Sequence, residues 1–296
     1  MKQRFGNMIQ ENLPLAAHTT FRIGGAARLA GFPTSEEELS AMLLAANEEA
    51  IPYRVVGRGS NLLFDDSGYD GLVLFTAQMK RVVWDEGGVW ADAGVSLTAL
   101  AIEAAKRGLA GLEFAYGIPA SVGGAVYMNA GAYNAQISDV LAYSRYLTKD
   151  GKILTRASAE HDFGYRKCVY QKTGEIVLGA YFALKKGDAT ELRAVCEKRM
   201  ASRREKQPLE FPSAGSVFKR PFGSFAGALI ENAGLKGYRI GGAEVSEKHA
   251  GFIINRGGAT ASDVLALIAH IRAEVLERYG VLLKTEIIYI ENPAHI

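Results

Sequence analysis

The sequence has little cysteine and no excess of either charge. Cys168 and Cys196 are its two cysteines, and neither has a companion at metal-ligand spacing. A disulfide scaffold and a structural metal site are therefore not expected. The 34 Lys and Arg residues nearly balance the 32 Asp and Glu residues, with the signs interspersed. Without a basic stripe, nucleic acid is not an expected partner, and any anionic ligand must be recognised locally.

Long apolar runs are also missing. The first ten residues lack an apolar core of signal-peptide length, and no later run approaches the length of a transmembrane helix. We therefore expect a cytoplasmic protein without membrane insertion. The length of 296 residues and the 48% hydrophobic content predict a large core, with two compact units as the first expectation.

Hydrophobic spacing and turn residues predict a mixture of helices and strands. Helices are predicted from Ser35 to before Pro52, over residues 96–107 and 188–206, shortly after Ser224, and over residues 262–279. Strands are predicted over residues 28–32, 53–56, 72–75, 81–84, 89–93, 140–148, 153–156, 175–184, 251–255 and 282–290. The main domain boundary is expected near residue 200, where Gln207-Pro208 ends a charged helix.

A first glycine loop, Gly57-Arg-Gly-Ser-Asn61, follows a predicted strand. It begins like a dinucleotide fingerprint, but Leu62 occupies the place of the third glycine and residues 62–64 continue extended. This departure argues against a Rossmann fold. The backbone amides, the Ser60 hydroxyl and the Asn61 amide could donate to a phosphate, and an ordinary turn is the alternative.

A second glycine-rich segment runs from Gly117 to Tyr133 and is poor in large side chains. Its small and polar members are Gly117, Ser121, Gly123, Gly124, Asn129, Gly131 and Ala132. The composition predicts little contribution to a core. It indicates either backbone packed against a planar or phosphorylated ligand, or a close crossing of helices or strands. Two such loops in one chain favour a dinucleotide.

Three isolated residues allow both a functional and an ordinary interpretation. Arg166 follows an aromatic residue in Phe163-Gly-Tyr-Arg166, and a surface charge is the alternative. Ser216 lies beside a glycine, where a turn serine is common. Glu286 shares a strand face with Ile288, which is costly unless the carboxylate is paired or the strand is an exposed edge. Cys168 is expected to be a packed thiol.

Together these motifs resemble the UDP-N-acetylenolpyruvoylglucosamine reductase family, with matching order and spacing from about residue 18 to the C-terminus. The motifs are Thr19–Gly25, Gly57–Asn61, Gly117–Gly124, Asn129–Tyr133, Phe163–Arg166, Ala214–Lys219 and Glu286. The resemblance implies that NADPH reduces bound FAD. The flavin then reduces the enolpyruvyl ether of a nucleotide sugar to the lactyl ether of UDP-N-acetylmuramate, a peptidoglycan precursor.

The resemblance also implies an α+β fold. A two-lobed FAD-binding domain of the vanillyl-alcohol-oxidase type is expected over residues 1–200, with lobes of about 1–67 and 68–200. A smaller α+β substrate domain would follow over residues 201–296, with strand 282–290 packing back on the first domain. The segment 166–175 is too short for the tyrosine-bearing lid of one subclass. A monomer or weak oligomer is expected.

The family's functional residues are carried over by position. Arg166 and Glu286 would stabilise negative charge at the carbon bearing the carboxylate, and Ser216 would donate a proton to it. Lys206, Lys219 and His249 would contact substrate, and no metal is implied. The implied FAD contacts are Arg22, Gly57, Arg58, Gly59, Ser60, Asn61, Gly117, Ser121, Gly123, Gly124, Asn129, Gly131 and Ala132.

Two alternatives compete with this interpretation. A flavin oxidase of the same fold would act on another alcohol and consume oxygen. A non-catalytic flavin or nucleotide-binding module would use the glycine loops, while Arg166, Ser216 and Glu286 would be incidental.

Overall fold

The computed structural model describes residues 1–295. The chain divides into two compact units, each built from separate stretches of sequence. Unit 1 comprises Met1–Glu11, Leu29–Arg58 and Gly71–Ser202, and unit 2 comprises Asn12–Arg28, Gly59–Asp70 and Arg203–Ile296. No helix within residues 1–295 combines the length and the apolar character needed to cross a membrane.

Helices and strands alternate along the chain. The α-helices are α1 (Lys2–Phe5), α2 (Glu36–Glu48), α3 (Leu97–Lys106), α4 (Val122–Tyr127), α5 (Tyr170–Thr173), α6 (Ala189–Lys206), α7 (Ala226–Asn232) and α8 (Ala261–Tyr279). The strands are β1 (Ile9–Pro14), β2 (Ala26–Gly31), β3 (Tyr53–Val56), β4 (Leu62–Phe64), β5 (Tyr69–Phe75), β6 (Val82–Trp84), β7 (Gly88–Asp92), β8 (Leu109–Ala110), β9 (Gly131–Ala132), β10 (Ala135–Gln136), β11 (Leu141–Leu147), β12 (Ile153–Ala157), β13 (Ile176–Ala183), β14 (Lys185–Lys186), β15 (Ser213–Ser216), β16 (Arg239–Ile240), β17 (Ala243–Val245), β18 (Phe252–Asn255) and β19 (Ile288–Ile290). The mixture confirms the α+β class.

The centre of unit 1 is a five-stranded sheet in the order β12-β11-β13-β7-β6, whose neighbours pair antiparallel. Helices α3 and α4 share a core with this sheet through Leu97, Val122 and Phe182. Ser96 begins α3 by accepting a hydrogen bond from the Ala99 amide, as the sequence predicted. The sheet and these helices therefore fix where the second glycine segment lies.

A second sheet, in the order β1-β2-β5-β3, lies mostly in unit 1, and β3 and β5 pair in parallel. Helix α2 connects β2 to β3 and buries Leu39, Met42 and Leu43 with residues of β5. Its first turn is capped by Ser35, which accepts from the Glu38 amide. The predicted order of strand, helix, strand and loop is confirmed.

Unit 2 is built on a sheet in the order β15-β18-β17-β16. Helix α8 contributes Val264 and Leu267 to its core, together with Phe21 and Leu63 from the two earlier segments. Gly280 ends α8 in the left-handed conformation with φ 66°, as predicted. The core of unit 2 therefore depends on residues that are far apart in sequence.

One predicted strand, and the prediction that the glycine segment contributes little to a core, were wrong. The strand expected over residues 282–290 is reduced to β19, which pairs in parallel with β4. Before β19 the chain bonds to a different neighbour, since the Glu286 amide donates to the Val217 carbonyl at 2.7 Å. The glycine segment 117–133 contains helix α4, whose Val122 is fully buried. The other predicted elements are confirmed, with bounds that shift by a few residues.

Candidate functional site

The two glycine segments meet in unit 1. A Cβ atom on Gly57 would lie 2.1 Å from the Ser121 hydroxyl oxygen. Only glycine fits at this distance, because real Cβ atoms do not approach so closely. Ser121 is almost fully buried and precedes α4. The structure thus brings together two positions that the sequence assigned to the same cofactor.

The rest of the first glycine loop belongs to unit 2. Gly59 has φ 61°, and a Cβ atom there would lie 2.5 Å from the His18 carbonyl oxygen. The Asn61 side-chain amide donates to the Glu286 carbonyl at 3.1 Å, and the Ile288 amide donates to the Asn61 carbonyl at 2.9 Å. The loop thereby holds the backbone of Glu286. Arg22 and Arg58, also predicted to contact cofactor, have exposed side chains.

The first amides of α4 bond to protein. The Val122 amide donates to the Val95 carbonyl, and the Gly123 amide donates to the Ala93 carbonyl, both at 2.9 Å. The Gly124 amide donates to the Ser121 hydroxyl at 3.3 Å. The start of this helix is therefore not the row of unpaired donors that usually binds an anion.

Most glycines of the second segment have a local structural cause. Gly117 has φ 89°, and a Cβ atom on Gly123 would lie 2.8 Å from the Ala93 Cβ atom. A Cβ atom on Gly131 would lie 2.6 Å from the Ala135 carbonyl oxygen. Gly124 differs. Among residues 1–295, and apart from its chain neighbours and the backbone of its own helix, a Cβ atom on Gly124 would have one neighbour within 4 Å, the Ser121 Oγ atom at 3.4 Å. Close crossing accounts for Gly123, whereas packing does not explain Gly124.

Asn129 connects the second glycine segment to the turn that carries Arg166. Its side-chain amide nitrogen donates to the Gly164 carbonyl, and its side-chain oxygen accepts from the Ser138 amide, both at 3.0 Å. The Arg166 Nη2 atom donates to the Gly131 carbonyl at 3.2 Å. The structure thus brings three predicted residues together within unit 1.

Arg166 lies in a tight turn with a strained backbone. The Gly164 and Lys167 backbones exchange hydrogen bonds of 3.1 and 3.2 Å, and Arg166 between them has φ 54°. A residue with a side chain in this conformation costs of order 1 kcal/mol, and such strain often occurs at functional sites. The guanidinium carbon lies 5.1 Å from the centre of the Tyr165 ring. The side chain is half-buried.

Ser216 and Glu286 are neighbours in unit 2. Ser216 is exposed at the end of β15, after Gly215 with φ 77°. Val217, the next residue, accepts the hydrogen bond from the Glu286 amide. Glu286 is half-buried. The serine and the carboxylate are therefore placed on adjacent backbone segments, while Arg166 belongs to unit 1.

The three residues predicted to bind substrate also belong to unit 2. Lys206 is exposed at the end of α6, and Lys219 is half-buried shortly after Ser216. His249 Nδ1 accepts from the Gly251 amide at 3.1 Å, and its ring packs edge-on against Phe252 with centroids 5.0 Å apart. Burial lowers the pKa of His249 below its ordinary value. The imidazole is therefore neutral near pH 7, with its N–H at Nε2.

Sequence reasoning missed Thr20 as a residue that positions the site. Its hydroxyl donates to the Ser213 carbonyl at 2.7 Å, and the Ser213 amide donates to the Thr20 carbonyl at 3.1 Å. These bonds fix the start of β15, which ends at Ser216. The available signal was the presence of Thr20 in the motif Thr19–Gly25.

A buried polar network next to the Arg166 turn was also missed. The Ser144 hydroxyl lies 2.8 Å from His161 Nε2 and 2.6 Å from the Tyr170 hydroxyl. His161 Nδ1 donates to the Ala157 carbonyl at 2.9 Å, which leaves Nε2 as the acceptor. The His161 ring stacks on Phe163 with centroids 4.8 Å apart. Because these residues are separated in sequence, no local motif indicates the network.

Two stretches of the chain match models of known protein families. Residues 27–156 match the model of an FAD binding domain. Residues 207–290 match the C-terminal domain of UDP-N-acetylenolpyruvoylglucosamine reductase. The predicted FAD-binding fold and its cofactor are therefore confirmed.

Whole-chain relatives carry the same name. The UDP-N-acetylenolpyruvoylglucosamine reductase of Lactobacillus delbrueckii subsp. bulgaricus is 47% identical over 94% of both chains. That of Latilactobacillus sakei is 47% identical over 94% of this chain and 92% of its own. The crystal structure of the Thermus caldophilus reductase is 37% identical, with a TM-score of 0.81 over 95% of this chain and 97% of its own. The chain therefore belongs to the UDP-N-acetylenolpyruvoylglucosamine reductase family of FAD-containing oxidoreductases.

Proposed function

We propose that this chain uses NADPH to reduce the enolpyruvyl ether of UDP-N-acetylglucosamine enolpyruvate, forming UDP-N-acetylmuramate, with Arg166, Ser216 and Glu286 as catalytic residues. The observation that carries the proposal is the adjacency of Ser216 and Glu286. The hydrogen bond from the Glu286 amide to the Val217 carbonyl joins their backbone segments, and both segments lie within residues 207–290, which match the reductase C-terminal domain.

The residues present fit FAD at the second glycine segment. Gly124 lies inside a helix, where glycine costs about 1 kcal/mol relative to alanine. Packing does not require a glycine there, and its exposed backbone allows a flat ligand to approach closely. We assign Gly57–Asn61, Gly117–Gly124 and the backbone of Asn129–Ala132 to the cofactor site, with exposed Arg22 and Arg58 near its phosphates. When bound, FAD supplies the hydride to substrate.

Arg166 and Glu286 would stabilise charge in the substrate. When the vinyl carbon gains a hydride, negative charge develops at the neighbouring carbon that bears the carboxylate. A guanidinium held in a strained turn is already oriented before the reaction, so little reorganisation is needed. Glu286 is held through its amide by Val217 and through its carbonyl by Asn61. Its carboxyl group would contact the substrate at this carbon.

Ser216 would donate the proton that completes the reduction. Its exposed side chain at the end of β15 can be reached by substrate. A serine hydroxyl is a weak acid in water, so proton transfer to the second carbon requires charge stabilisation nearby. Arg166 and Glu286 are the residues that we assign to this stabilisation.

We assign substrate contacts to Lys206, Lys219 and His249, with the neutral His249 offering its Nε2–H as a donor. In this proposal residues 201–296 act as the substrate domain and residues 1–200 hold FAD. A cytoplasmic location agrees with the use of NADPH and with the two buried free thiols. Burial raises the pKa of the Cys168 thiol. Burial also raises the pKa of the Cys196 thiol, to about 11. Neither cysteine is therefore an activated nucleophile. A monomer or weak oligomer is expected.

The decisive experiment follows the absorbance of bound FAD in the purified protein. NADPH should bleach the visible band, and the enolpyruvyl nucleotide should restore it without oxygen. Ser216→Ala should keep bound FAD and bleaching by NADPH but slow the recovery by orders of magnitude, because the acid is lost. Ser213→Ala, in the same strand, is the matched control.

Two results would overturn the proposal. Unchanged recovery in Ser216→Ala removes the assigned acid. Oxygen consumption with a simple alcohol, together with no response to the enolpyruvyl nucleotide, would identify an oxidase of the same fold instead.

A further inference from the structure

We infer that Asn129 is a positioning residue for Arg166 and not a side-chain ligand of FAD. Its amide holds the turn of residues 163–167, and through that turn it sets the location of the guanidinium. The inference rests on the catalytic role proposed for Arg166.

Both polar atoms of the Asn129 side chain already form hydrogen bonds within the protein. The side chain is fully buried, with the nitrogen bonded to the Gly164 carbonyl and the oxygen bonded to the Ser138 amide. A side chain without accessible surface cannot touch a bound ring or phosphate. The Asn129 side chain therefore connects two backbone segments by hydrogen bonds.

The backbone of Asn129 explains why asparagine occupies this position. Asn129 follows α4 with φ 41°, in the left-handed region that asparagine tolerates better than most residues with a side chain. Glycine would satisfy this conformation but would lack the amide. Aspartate would keep the acceptor for Ser138 but lose the donor to Gly164. The position requires both properties at once.

The contacts of Asn129 and Gly131 hold Arg166 at two points. Asn129 binds the Gly164 carbonyl at the start of the turn, and the Gly131 carbonyl accepts from Arg166 Nη2. Arg166 itself has φ 54°. A strained backbone persists only when surrounding contacts impose it. The stretch 129–131 supplies such contacts to the main chain and to the guanidinium.

The test separates the two steps that the proposed enzyme performs. We expect Asn129→Gly to keep bound FAD and its bleaching by NADPH, because the change leaves the left-handed conformation intact. Recovery with the enolpyruvyl nucleotide should slow by up to about 100-fold, since misplacement by about 1 Å has effects of this size. Asn134→Gly is the matched control, because Asn134 is exposed, has φ 61° and lies in the turn between β9 and β10. It should react at the normal rate.

A double-mutant cycle distinguishes positioning from general damage. If Asn129 acts through Arg166, Asn129→Gly should slow recovery by no more than about twofold in the Arg166→Ala background. An equal slowing in both backgrounds would overturn the inference, as would loss of FAD from Asn129→Gly alone. Normal recovery in Arg166→Ala would instead remove the proposed role of Arg166, and the inference with it. If Asn129→Gly does not fold, Asn129→Asp tests the loss of the donor alone.

Discussion

At the scale of single residues, the glycines between Gly117 and Gly131 have different causes. Gly117 supplies a positive φ, and Gly123 allows α4 to approach Ala93 closely. Gly124 meets neither requirement, although it lies in the same helix. Glycine lowers the stability of a helix, and no packing contact within the protein requires it at position 124. We therefore attribute this glycine to the approach of a ligand. The exposed face at Gly124 is therefore where we expect FAD to approach the backbone.

Gly124→Ala should separate stability from cofactor binding. The apoprotein should unfold at the same or a higher temperature, because alanine favours the helix by about 1 kcal/mol. The affinity for FAD should fall, since a methyl group would occupy the approach. Calorimetry of the apoprotein and titration with FAD measure the two effects. Gly123→Ala is the contrasting variant, because its Cβ atom would meet Ala93 and should destabilise the apoprotein itself.

His161 should make stability depend on pH. Burial lowers its pKa below the ordinary value of 6.5, so the unfolded chain takes up the proton first as pH falls. Stability is full above pH 6.5 and is lost as pH falls from there toward the folded pKa, by at most about 1.4 kcal/mol per pH unit for this one group. Urea unfolding between pH 7.5 and 5.5 should show a shallower decline in His161→Gln. An unchanged slope would contradict this role.

At the scale of secondary-structure elements, the start of α8 is held by a loop nearly two hundred residues earlier. The Asp66 carboxylate accepts from the Ala261 amide at 2.6 Å and from the Ser262 amide at 2.9 Å. Thr260 and Asp263 add a capping box within the helix. The amphipathic pattern of residues 262–279 predicts the helix, but it does not reveal the hydrogen bonds between Asp66 and its first turn.

Asp66→Ala should lower the free energy of unfolding by about 1 kcal/mol, the usual value of an N-terminal cap. The urea midpoint gives the measurement. Asp70→Ala is the control, because its ion pair with Arg28 is half exposed and such pairs contribute about 0–1 kcal/mol. Equal losses of unfolding free energy in the two variants would show that the Asp66 cap stabilises the protein no more than a surface ion pair does.

The sequence predicted correctly those elements whose limits depend on nearby residues, such as capping residues and terminating glycines. The limits of α8 follow from its apolar spacing and Gly280, and the limits of α3 follow from Ser96 and Gly108. Helix α4 was missed because Gly123 and Gly124 have low helix propensity, which the contact with Ala93 overrides. The strand expected over residues 282–290 was overextended because alternation does not reveal a change of partner.

The site shows the same division between local and long-range information. Motifs indicated which residues carry the chemistry, and they indicated the cofactor. They did not reveal that Asn61 holds the Glu286 carbonyl or that Asn129 holds the Gly164 carbonyl, because these bonds join distant segments. Both asparagines were therefore assigned to ligand.

At the scale of the whole molecule, the core of unit 2 includes residues from outside the C-terminal sequence. Phe21, Ile23 and Leu63 are buried in its core, and β19 pairs with β4. The family model of the C-terminal domain covers residues 207–290 and so omits these contributions. Matching a sequence domain is therefore not the same as finding an independent folding unit.

A fragment of residues 203–296 should lack a cooperative thermal transition, because part of its core and the partner of β19 are missing. Circular dichroism during heating tests this. In the full chain, Phe21→Ala should cost about 3–5 kcal/mol, the usual loss for a buried phenylalanine. A fragment that melts sharply, or a variant as stable as the parent, would contradict the shared core.

The discontinuity of unit 2 also constrains how the chain is made. Segments 12–28 and 59–70 leave the ribosome before residues 203–290 have been synthesised. At about 5–20 residues per second, the delay is roughly ten seconds or more. During that interval Phe21, Ile23 and Leu63 are apolar residues without their native neighbours, the kind of transiently exposed surface that chaperones protect from aggregation. Translation of the last third of the message thus sets when these early segments can be buried.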